Sequence, residues 1–253
     1  MKPKRTKIII FTDLDGSLLN DNYEYDQIEP IIRHLLSLNV AIVIASSKTR
    51  TEIEYYRNKL QIDDPFITEN GSAILIPQSY FEINYEFTKQ VLGYNLIELG
   101  IPYHVIREKL AAVKNRSGAN IVGFGDMAAQ EVAKDSRLPI PLAQLAKKRE
   151  YSEPFQILGG NEKDVLDEIC FEGLCYTRGG RYLNALGNCD KGKAITILKN
   201  LYSQQFKRIF SIGVGNSDND TAMLKIVDKP FFVTKTADIK AVWKKIDSIA
   251  QSN

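Results

Sequence analysis

The sequence predicts an α/β protein with a Rossmann-like, doubly wound parallel-sheet core, into which a second, α+β unit is inserted. Strands and helices alternate in the first third of the 253 residues and again in the last third. Such βαβ alternation is typical of a parallel sheet covered on both faces. Because the middle of the chain lacks this alternation, we expect residues 1–78 and 187–253 to form the core and residues 79–186 to form the insert.

The core elements are predicted from short apolar strands and from helices with apolar residues at helical spacing. Ile8–Phe11 is a β-branched run of the kind found in buried parallel strands. The predicted helices of the core are Ile28–Leu38, Thr49–Leu60, Lys193–Leu201, Asp218–Val227 and Ala237–Lys245. The other predicted strands of the core are Val40–Ala45, Pro65–Thr68, Ile209–Val214 and Phe231–Val233.

The insert is predicted to mix strands and helices without a repeat. Gly179-Gly180 between two strand-like runs is a hairpin signal. The predicted strands are Tyr94–Glu98, Pro154–Leu158, Cys175–Arg178 and Arg181–Ala185, and the predicted helices are Val105–Lys114, Ala128–Asp135 and Lys163–Phe171.

Composition narrows the function classes. The chain is 44% apolar and 25% charged with a net charge of +2, so nothing favours nucleic acid or a membrane as a partner. Three cysteines are too few for a disulfide framework or a zinc site and fit reduced thiols. The first apolar run is too short for a signal peptide or a membrane span. We expect a cytoplasmic protein and leave its oligomeric state open.

Asp13 and Asp15 directly follow the first strand. In open α/β sheets, ligands bind outside the carboxyl ends of the strands. Carboxylates suit Mg²⁺ there, and an aspartate such as Asp13 can accept a phosphoryl group while Asp15 moves a proton. Gly16 permits close approach of the backbone to a ligand. The alternative for this pair is a solvated turn or helix cap.

Two further clusters suit phosphate. Ser46, Ser47, Lys48 and Arg50 follow the second strand at a helix start, where hydroxyls and N–H groups cradle phosphate; a plain helix cap is the alternative. The stretch Gly187–Ala194 nearly matches a nucleotide-binding loop, but Ala194 lacks the hydroxyl that holds Mg²⁺. Its lysines suit phosphate without a nucleotide, and a surface lysine capped by an aspartate is the alternative.

A fourth cluster follows the strand Ile209–Val214, where Asn216, Asp218, Asn219 and Asp220 crowd oxygen ligands. Taken in order, the four clusters resemble the haloacid dehalogenase superfamily of phosphotransferases. The resemblance implies Asp13 as nucleophile, Asp15 as acid and base, and Ser46 and Lys191 as charge stabilisers. It implies Mg²⁺ as cofactor, with the metal ligands Asp13, Asp15, Asn216 and Asp220, and makes the insert a cap domain.

Finer features resemble the mannosyl-3-phosphoglycerate phosphatase family, namely the stretches Ser46–Arg50, Pro65–Ile74, Arg149–Glu153 and Gly180–Leu183 through Asp190–Lys193. That resemblance implies hydrolysis of a small phosphorylated glycoside, 2-O-mannosyl-3-phosphoglycerate, to mannosylglycerate and phosphate. Glucosyl-3-phosphoglycerate or another sugar phosphate is the alternative. The residues expected to bind substrate are Gly16, Ser47, Lys48, Arg50, Glu69, Asn70, Arg149, Glu153, Arg181 and Asn188.

Position 216 departs from the superfamily pattern, which usually has a metal-binding Asp there. Asn216 carries no charge, so Mg²⁺ should bind more weakly. The outcomes left open are an active enzyme with weaker metal affinity, an altered metal choice, or a degraded site; the other intact motifs favour activity. A nucleotide-dependent kinase or ATPase and a non-catalytic phospho-sugar sensor remain the rival functions.

Overall fold

The computed structural model describes residues 6–179 and 181–252, so Gly180 of the predicted hairpin and the outermost residues of the predicted core lie outside the described residues. The strands are β1 Lys7–Thr12, β2 Ala41–Ile44, β3 Phe66–Thr68, β4 Ala73–Pro77, β5 Lys89–Val91, β6 Tyr94–Glu98, β7 Asn120–Gly123, β8 Ser152–Gly159, β9 Cys175–Arg178, β10 Leu183–Leu186, β11 Ile209–Gly215 and β12 Lys229–Phe232. The helices are α1 Glu29–Ser37, α2 Arg50–Leu60, α3 Tyr103–Ser117, α4 Ala129–Ser136, α5 Ile140–Ala146, α6 Glu162–Phe171, α7 Lys191–Gln205, α8 Thr221–Ile226 and α9 Ile239–Gln251.

A four-stranded parallel sheet in the order β12-β11-β1-β2 forms the centre of the core. β1 lies between β2 and β11, and Ile9 and Phe11 on it are fully buried. The order, with β1 flanked by elements from both ends of the chain, is that of a doubly wound sheet. The predicted fold class is thus confirmed, and the segments after β1, β2 and β11 emerge at one edge.

The predicted third parallel strand behaves differently. β3 touches the parallel sheet through a single parallel bridge between Ala45 and Ile67, and its other edge pairs antiparallel with β4. The reason is a tight turn after Thr68 that reverses the chain. A second sheet, β3-β4-β6-β5, follows, so the predicted boundary at residue 79 falls between two strands of one sheet.

The rest of the insert contains a third, antiparallel sheet in the order β7-β8-β10-β9. α3 and α6 pack on it through Ile106, Val165 and Ile169, which share an apolar cluster with Phe155 of β8. α5 instead packs against α2 of the core, where Leu142 and Ile53 belong to one cluster. The insert thereby covers the edge of the sheet where β1, β2 and β11 end. A cleft lies between this edge and the insert.

Two bulk features accompany this architecture. In residues 6–179 and 181–252, no helix has the length and apolarity needed to cross a membrane. Cys170, Cys175 and Cys189 are all free thiols, as the small cysteine count predicts.

Candidate active site

A cleft of about 670 Å³ lies between the carboxyl ends of the parallel strands and the insert. The core contributes its floor and the insert contributes its wall. The floor includes Asp13, Asp15, Gly16, Tyr23, Ser47, Lys48, Asn216, Ser217 and Asn219, and the wall includes Phe124, Leu138, Arg149, Arg181, Tyr182 and Asn184.

Lys191 lies beneath this floor, between two carboxylates. Its Nζ is 2.7 Å from Oδ1 of Asp13 and 2.6 Å from Oδ1 of Asp220. Asp190 caps α7 by accepting from the N–H of Lys193, which fixes Lys191 in the first turn. Burial lowers the pKa of Lys191, but the two carboxylates outweigh it and the pKa is raised. The lysine is therefore a fixed positive charge beside Asp13.

Asp13 is buried at the end of β1, where its N–H donates to Val214 on the neighbouring strand. Burial raises the pKa of its carboxyl to about 7, with Lys191 opposing the rise and Asp220 adding to it. A bound divalent cation is a further local charge that would lower this pKa. The carboxylate form that a nucleophile needs is thus favoured by Lys191 and by any cation bound at the site.

Asp15 is held by Lys48. The Lys48 Nζ lies 3.1 Å from Oδ2 of Asp15 and 3.4 Å from Oε1 of Glu52, over the ring of Tyr23 at 5.1 Å. Burial alone would lower the pKa of Lys48, but Asp15 and Glu52 raise it well above its usual value. Glu52 also completes the capping box with Thr49 that starts α2. The acid–base candidate is therefore tied to the first turn of α2.

The loop after β11 is organised by Asp220. Its Oδ2 accepts from the N–H groups of Asn216 (2.9 Å) and Ser217 (3.1 Å), while its Oδ1 accepts from Lys191. Gly16 has a φ of +71°, and a Cβ there would lie 2.2 Å from Nδ2 of Asn216. Only glycine lets the two loops approach this closely.

The residues at this point fit a magnesium ion. Oδ1 of Asn216 is a buried oxygen without a hydrogen-bond partner, and the carboxylate of Asp13 lines the same floor. Mg²⁺ takes hard oxygen ligands and commonly uses only one or two protein carboxylates. Among the described residues no group of three or more His, Cys, Asp or Glu side chains forms a ligand cluster, so a metal here depends on the Asn216 amide and on main-chain oxygen.

Ser46 lies in the loop that joins β2 to α2. Its side chain is buried, its Oγ accepts from the N–H of Lys48 at 3.4 Å, and its own N–H donates to Ile67 on β3. The carbonyl of Ser46 accepts from Asn70. The phosphate-loop prediction thus corresponds to a short segment that β3 and the following turn hold in place.

Of the predicted substrate-binding residues, Gly16, Ser47, Lys48, Arg149 and Arg181 line the cleft. The other five lie outside its lining and have partners of their own. Arg50 forms ion pairs with Glu54 and Glu150, and Glu69 accepts hydrogen bonds from residues 150–152. Asn70 accepts a hydrogen bond from Asn219, and Asn188 accepts one from Lys193. Glu153 accepts hydrogen bonds from Tyr103, Arg107 and Gly125.

Sequence reasoning missed the aromatic part of the cleft. Phe124 and Tyr182 form an edge-to-face pair with centroids 4.9 Å apart, and Tyr23 faces them from the core. Asn184 lies beside them on β10. No motif marks these residues, because three separate segments bring them together only after the insert has folded over the core.

The sequence profile of haloacid dehalogenase-like hydrolases matches residues 10–253. A glucosyl-3-phosphoglycerate/mannosyl-3-phosphoglycerate phosphatase of Methanococcoides burtonii is 43% identical over 236 residues, which cover 90% of this chain and 85% of that relative. A mannosyl-3-phosphoglycerate phosphatase of Pyrococcus horikoshii is 41% identical over 234 residues, covering 92% and 93% respectively.

Solved structures of low sequence identity share the fold. A haloacid dehalogenase-like hydrolase from Bacteroides thetaiotaomicron superposes with a TM-score of 0.65 at 15% identity, covering 96% of this chain and 100% of that one. A Thermoplasma acidophilum protein gives a TM-score of 0.64 at 17% identity, with 98% of each chain covered. Profile, relatives and fold agree, and the chain belongs to the haloacid dehalogenase-like hydrolases, in the family of the glucosyl- and mannosyl-3-phosphoglycerate phosphatases.

Proposed function

We propose that this protein is a cytoplasmic, Mg²⁺-dependent phosphatase that hydrolyses 2-O-mannosyl-3-phosphoglycerate, or its glucosyl counterpart, to the glycosylglycerate and phosphate. The observation that carries the proposal is the pair of charge clusters on the cleft floor. Asp13 lies against Lys191, and Asp15 lies against Lys48. The relatives at 43% and 41% identity supply the substrate class.

In this proposal Asp13 is the nucleophile. Its carboxylate oxygen attacks phosphorus, an aspartyl-phosphate forms, and the bond from phosphorus to the glycerate oxygen breaks. Asp15 gives its proton to that oxygen as it leaves. Asp15 then takes a proton from water, whose oxygen attacks the phosphorus, so that phosphate departs and the Asp13 carboxylate is restored. A nucleophile and a separate acid on one loop suit both half-reactions.

Charge on the phosphoryl oxygens is stabilised by groups already in place. The fixed ammonium of Lys191 and the hydroxyl of Ser46 supply the preorganised electrostatic contribution. When bound, Mg²⁺ would add positive charge, held by the Asp13 carboxylate, the main-chain carbonyl of Asp15 and the Asn216 amide. Asp220 was predicted as a ligand too; both its oxygens are engaged, so here it positions Lys191 and the loop.

The insert acts as the cap that selects the substrate, and we place its junctions near Gly100 and Gly187, after β6 and β10. Of the described residues, three cationic side chains line the cleft. Lys48 pairs with Asp15 and Glu52, and Arg149 pairs with Glu69. Within the described ranges Arg181 has no ion partner, so it is available for the glycerate carboxylate, which a guanidinium binds bidentately. Phe124 and Tyr182 offer apolar faces to a sugar ring.

Phosphate release tests this function directly. The panel is 2-O-mannosyl-3-phosphoglycerate, the glucosyl analogue and simple hexose phosphates, each assayed across a Mg²⁺ titration. We expect turnover of a glycosyl-3-phosphoglycerate to exceed that of hexose phosphates by at least about a hundredfold in kcat/KM. Preference for hexose phosphates would reject the substrate assignment, and absence of turnover at every Mg²⁺ concentration would reject the enzyme.

A further inference from the structure

The turn formed by Glu69, Asn70 and Gly71 has an unusual backbone. These successive residues have φ values of +48°, +62° and +96°. Asn tolerates the left-handed region, but Glu does not favour it, and such conformations persist only where surrounding contacts enforce them. The turn does not line the cleft. The strained backbone of the turn must therefore be stabilised by the contacts that the turn makes elsewhere.

The turn contacts the loops that hold the predicted catalytic residues. The N–H of Glu69 donates to Lys48 at 3.0 Å and that of Asn70 donates to Ser46 at 2.9 Å. The Oδ1 of Asn70 accepts from Nδ2 of Asn219 at 3.0 Å, in the loop after β11. This three-residue turn thus forms hydrogen bonds with both the phosphate loop, residues 46–50, and the candidate metal loop, residues 216–220.

Gly71 adds a contact with the start of α7. A Cβ at this position would lie 2.2 Å from the carbonyl oxygen of Asp190 and 2.8 Å from the nitrogen of Lys191. Gly71 therefore packs directly on the peptide that carries Lys191, and no larger residue fits without moving α7.

The side chain of Glu69 holds the cap. It is fully buried, and its carboxylate accepts from the N–H groups of Glu150 (2.9 Å) and Tyr151 (3.1 Å) and from Oγ of Ser152 (2.7 Å). Burial raises its pKa, and the Nε of Arg149 at 3.3 Å opposes this. These residues lead directly into β8, the strand that enters the cap sheet.

Arg149 connects the cap to the floor of the cleft. While its Nε faces Glu69, its Nη2 donates to the carbonyl of Ser47 at 3.0 Å, and the side chain lines the cleft. The Arg149 side chain thus contacts both Glu69 and the phosphate loop.

We propose that the Glu69–Gly71 turn is a positioning element that couples the placement of the cap to the geometry of the loops around Asp13. Glu69 is its cap arm and acts through Arg149 and the backbone of residues 150–152. Asn70 is its core arm and acts through Asn219. The proposal rests on the proposed function only for its choice of substrates.

The cap arm is tested with Glu69→Gln, which keeps the shape but removes the charge and places an amide donor against N–H donors. Glu150→Gln is the matched control, because it breaks the Arg50–Glu150 ion pair at the same junction. For Glu69→Gln, we expect kcat/KM on the glycosyl-3-phosphoglycerate to fall at least about tenfold further than on p-nitrophenyl phosphate, which is too small to need the cap. The control should change both by less than about threefold.

The core arm is tested with a double-mutant cycle on Asn70→Gly and Asn219→Ala. Glycine relieves the left-handed strain, so the variant should fold, and thermal unfolding checks this. We expect each single variant to lower kcat by about five- to tenfold on both substrates with little change in KM, and the double variant to match the singles. Additive losses would show that Asn70 does not act through Asn219 and would overturn this arm.

The wild-type rates separate the two proposals. If the wild type ignores glycosyl-3-phosphoglycerates, the proposed function fails, while the cycle on p-nitrophenyl phosphate still decides the core arm. If the wild type accepts them but Glu69→Gln loses activity equally on both substrates, or loses none, the coupling fails and the function stands.

Discussion

Charge is arranged differently on the floor of the cleft, which the core forms, and on its wall, which the cap forms. On the core side, Lys191 beneath the floor and Lys48 on the floor each lie between two carboxylates. On the wall, Arg149 is paired with Glu69, whereas Arg181 stands beside aromatic rings and has no ion partner among the described residues. Internal pairing fixes the floor groups before any ligand arrives, which suits chemistry. An unpaired guanidinium keeps its donors for a ligand, which suits selection.

The carboxylates show the same contrast in their pKa values. Burial raises the pKa of Asp13 to about 7 and also raises that of Glu69. In the cap, the hydrogen bond from Arg107 lowers the pKa of Asp126. Asp13 and Glu69 are thus held at an electrostatic cost, whereas the Asp126 carboxylate contributes to the stability of the cap.

The largest expected effect is that of Asp13→Asn. Loss of the nucleophile should lower kcat by at least about ten-thousandfold. Because Lys191 keeps Asp220 as a partner and an amide fits a buried site, the free energy of unfolding should change by less than about 1 kcal/mol. Phosphate release measures the loss of turnover, and thermal unfolding measures the change in stability. Retained turnover would reject Asp13 as the nucleophile.

Lys191→Met should damage both activity and stability. Removing the ammonium leaves Asp13 and Asp220 buried without their shared partner, and breaking a buried ion pair costs about 3–5 kcal/mol. Turnover should fall by about a thousandfold because the phosphoryl charge loses its stabiliser. Denaturant unfolding beside the Asp13→Asn protein makes the comparison, and equal stability of the two variants would contradict the pairing on the floor.

Arg181→Ala tests the wall. We expect KM for the glycosyl-3-phosphoglycerate to rise about ten- to a hundredfold, since a charged hydrogen bond contributes about 1.5–3 kcal/mol. The effect on a phosphate ester without a carboxylate should be at least about tenfold smaller. Arg178→Ala is the control, because Arg178 lies on β9, pairs with Glu162 at the start of α6 and does not line the cleft. Equal losses for both arginines would reject a specific carboxylate contact.

Asn216→Asp introduces the negative charge that the sequence pattern of the superfamily predicts at this position. The Mg²⁺ concentration at half-maximal rate should fall about tenfold, because a third carboxylate strengthens attraction to the ion. Without Mg²⁺ the melting temperature should drop, since the added charge lies near Asp13 and Asp15, and saturating Mg²⁺ should reverse the drop. A melting temperature that Mg²⁺ does not move would argue against a metal at this position.

The smallest expected effect concerns acid stability of the cap. The folded-state pKa of Asp126 is lowered by Arg107, so its stabilising contribution is present above the unfolded pKa near 4 and is lost as pH falls through the lowered value. Asp126 is partly exposed, so this is worth less than about 1 kcal/mol. The melting temperature of Asp126→Asn should fall less between pH 6 and pH 3 than that of the wild type; identical profiles would contradict the assignment.

The fold and the floor of the cleft follow from local sequence because parallel strands share an edge. Once β1, β2 and β11 are identified, Asp13, Ser46 and Asn216 must emerge together, whatever their separation in the chain. In the second sheet β3 and β6 are predicted, but β4 is not, although it is an apolar run, because the reversal after Thr68 depends on a left-handed turn that includes a glutamate. Propensity disfavours that conformation, and only tertiary contacts enforce it.

The wall of the cleft and the junction between core and cap depend on pairs of residues that lie far apart in the chain. The spacing of residue types along the sequence does not reveal such pairs. Arg50 and Glu153 carry charges suited to a substrate, yet each is satisfied by partners far along the chain, Glu150 and Arg107 respectively. Glu69 likewise meets the cap more than eighty residues away. A sequence alone shows that a charge is present; which partner neutralises it is decided by packing between the core and the cap.

In the proposed function Asp13 accepts the phosphoryl group on the floor while the cap selects the ester. Its most direct test is a rapid acid quench of the wild type during turnover of the glycosyl-3-phosphoglycerate, followed by peptide mass spectrometry. We expect a phosphoryl adduct on the peptide that carries Asp13, and none in Asp13→Asn. Turnover without a covalent adduct, or an adduct on another residue, would contradict it.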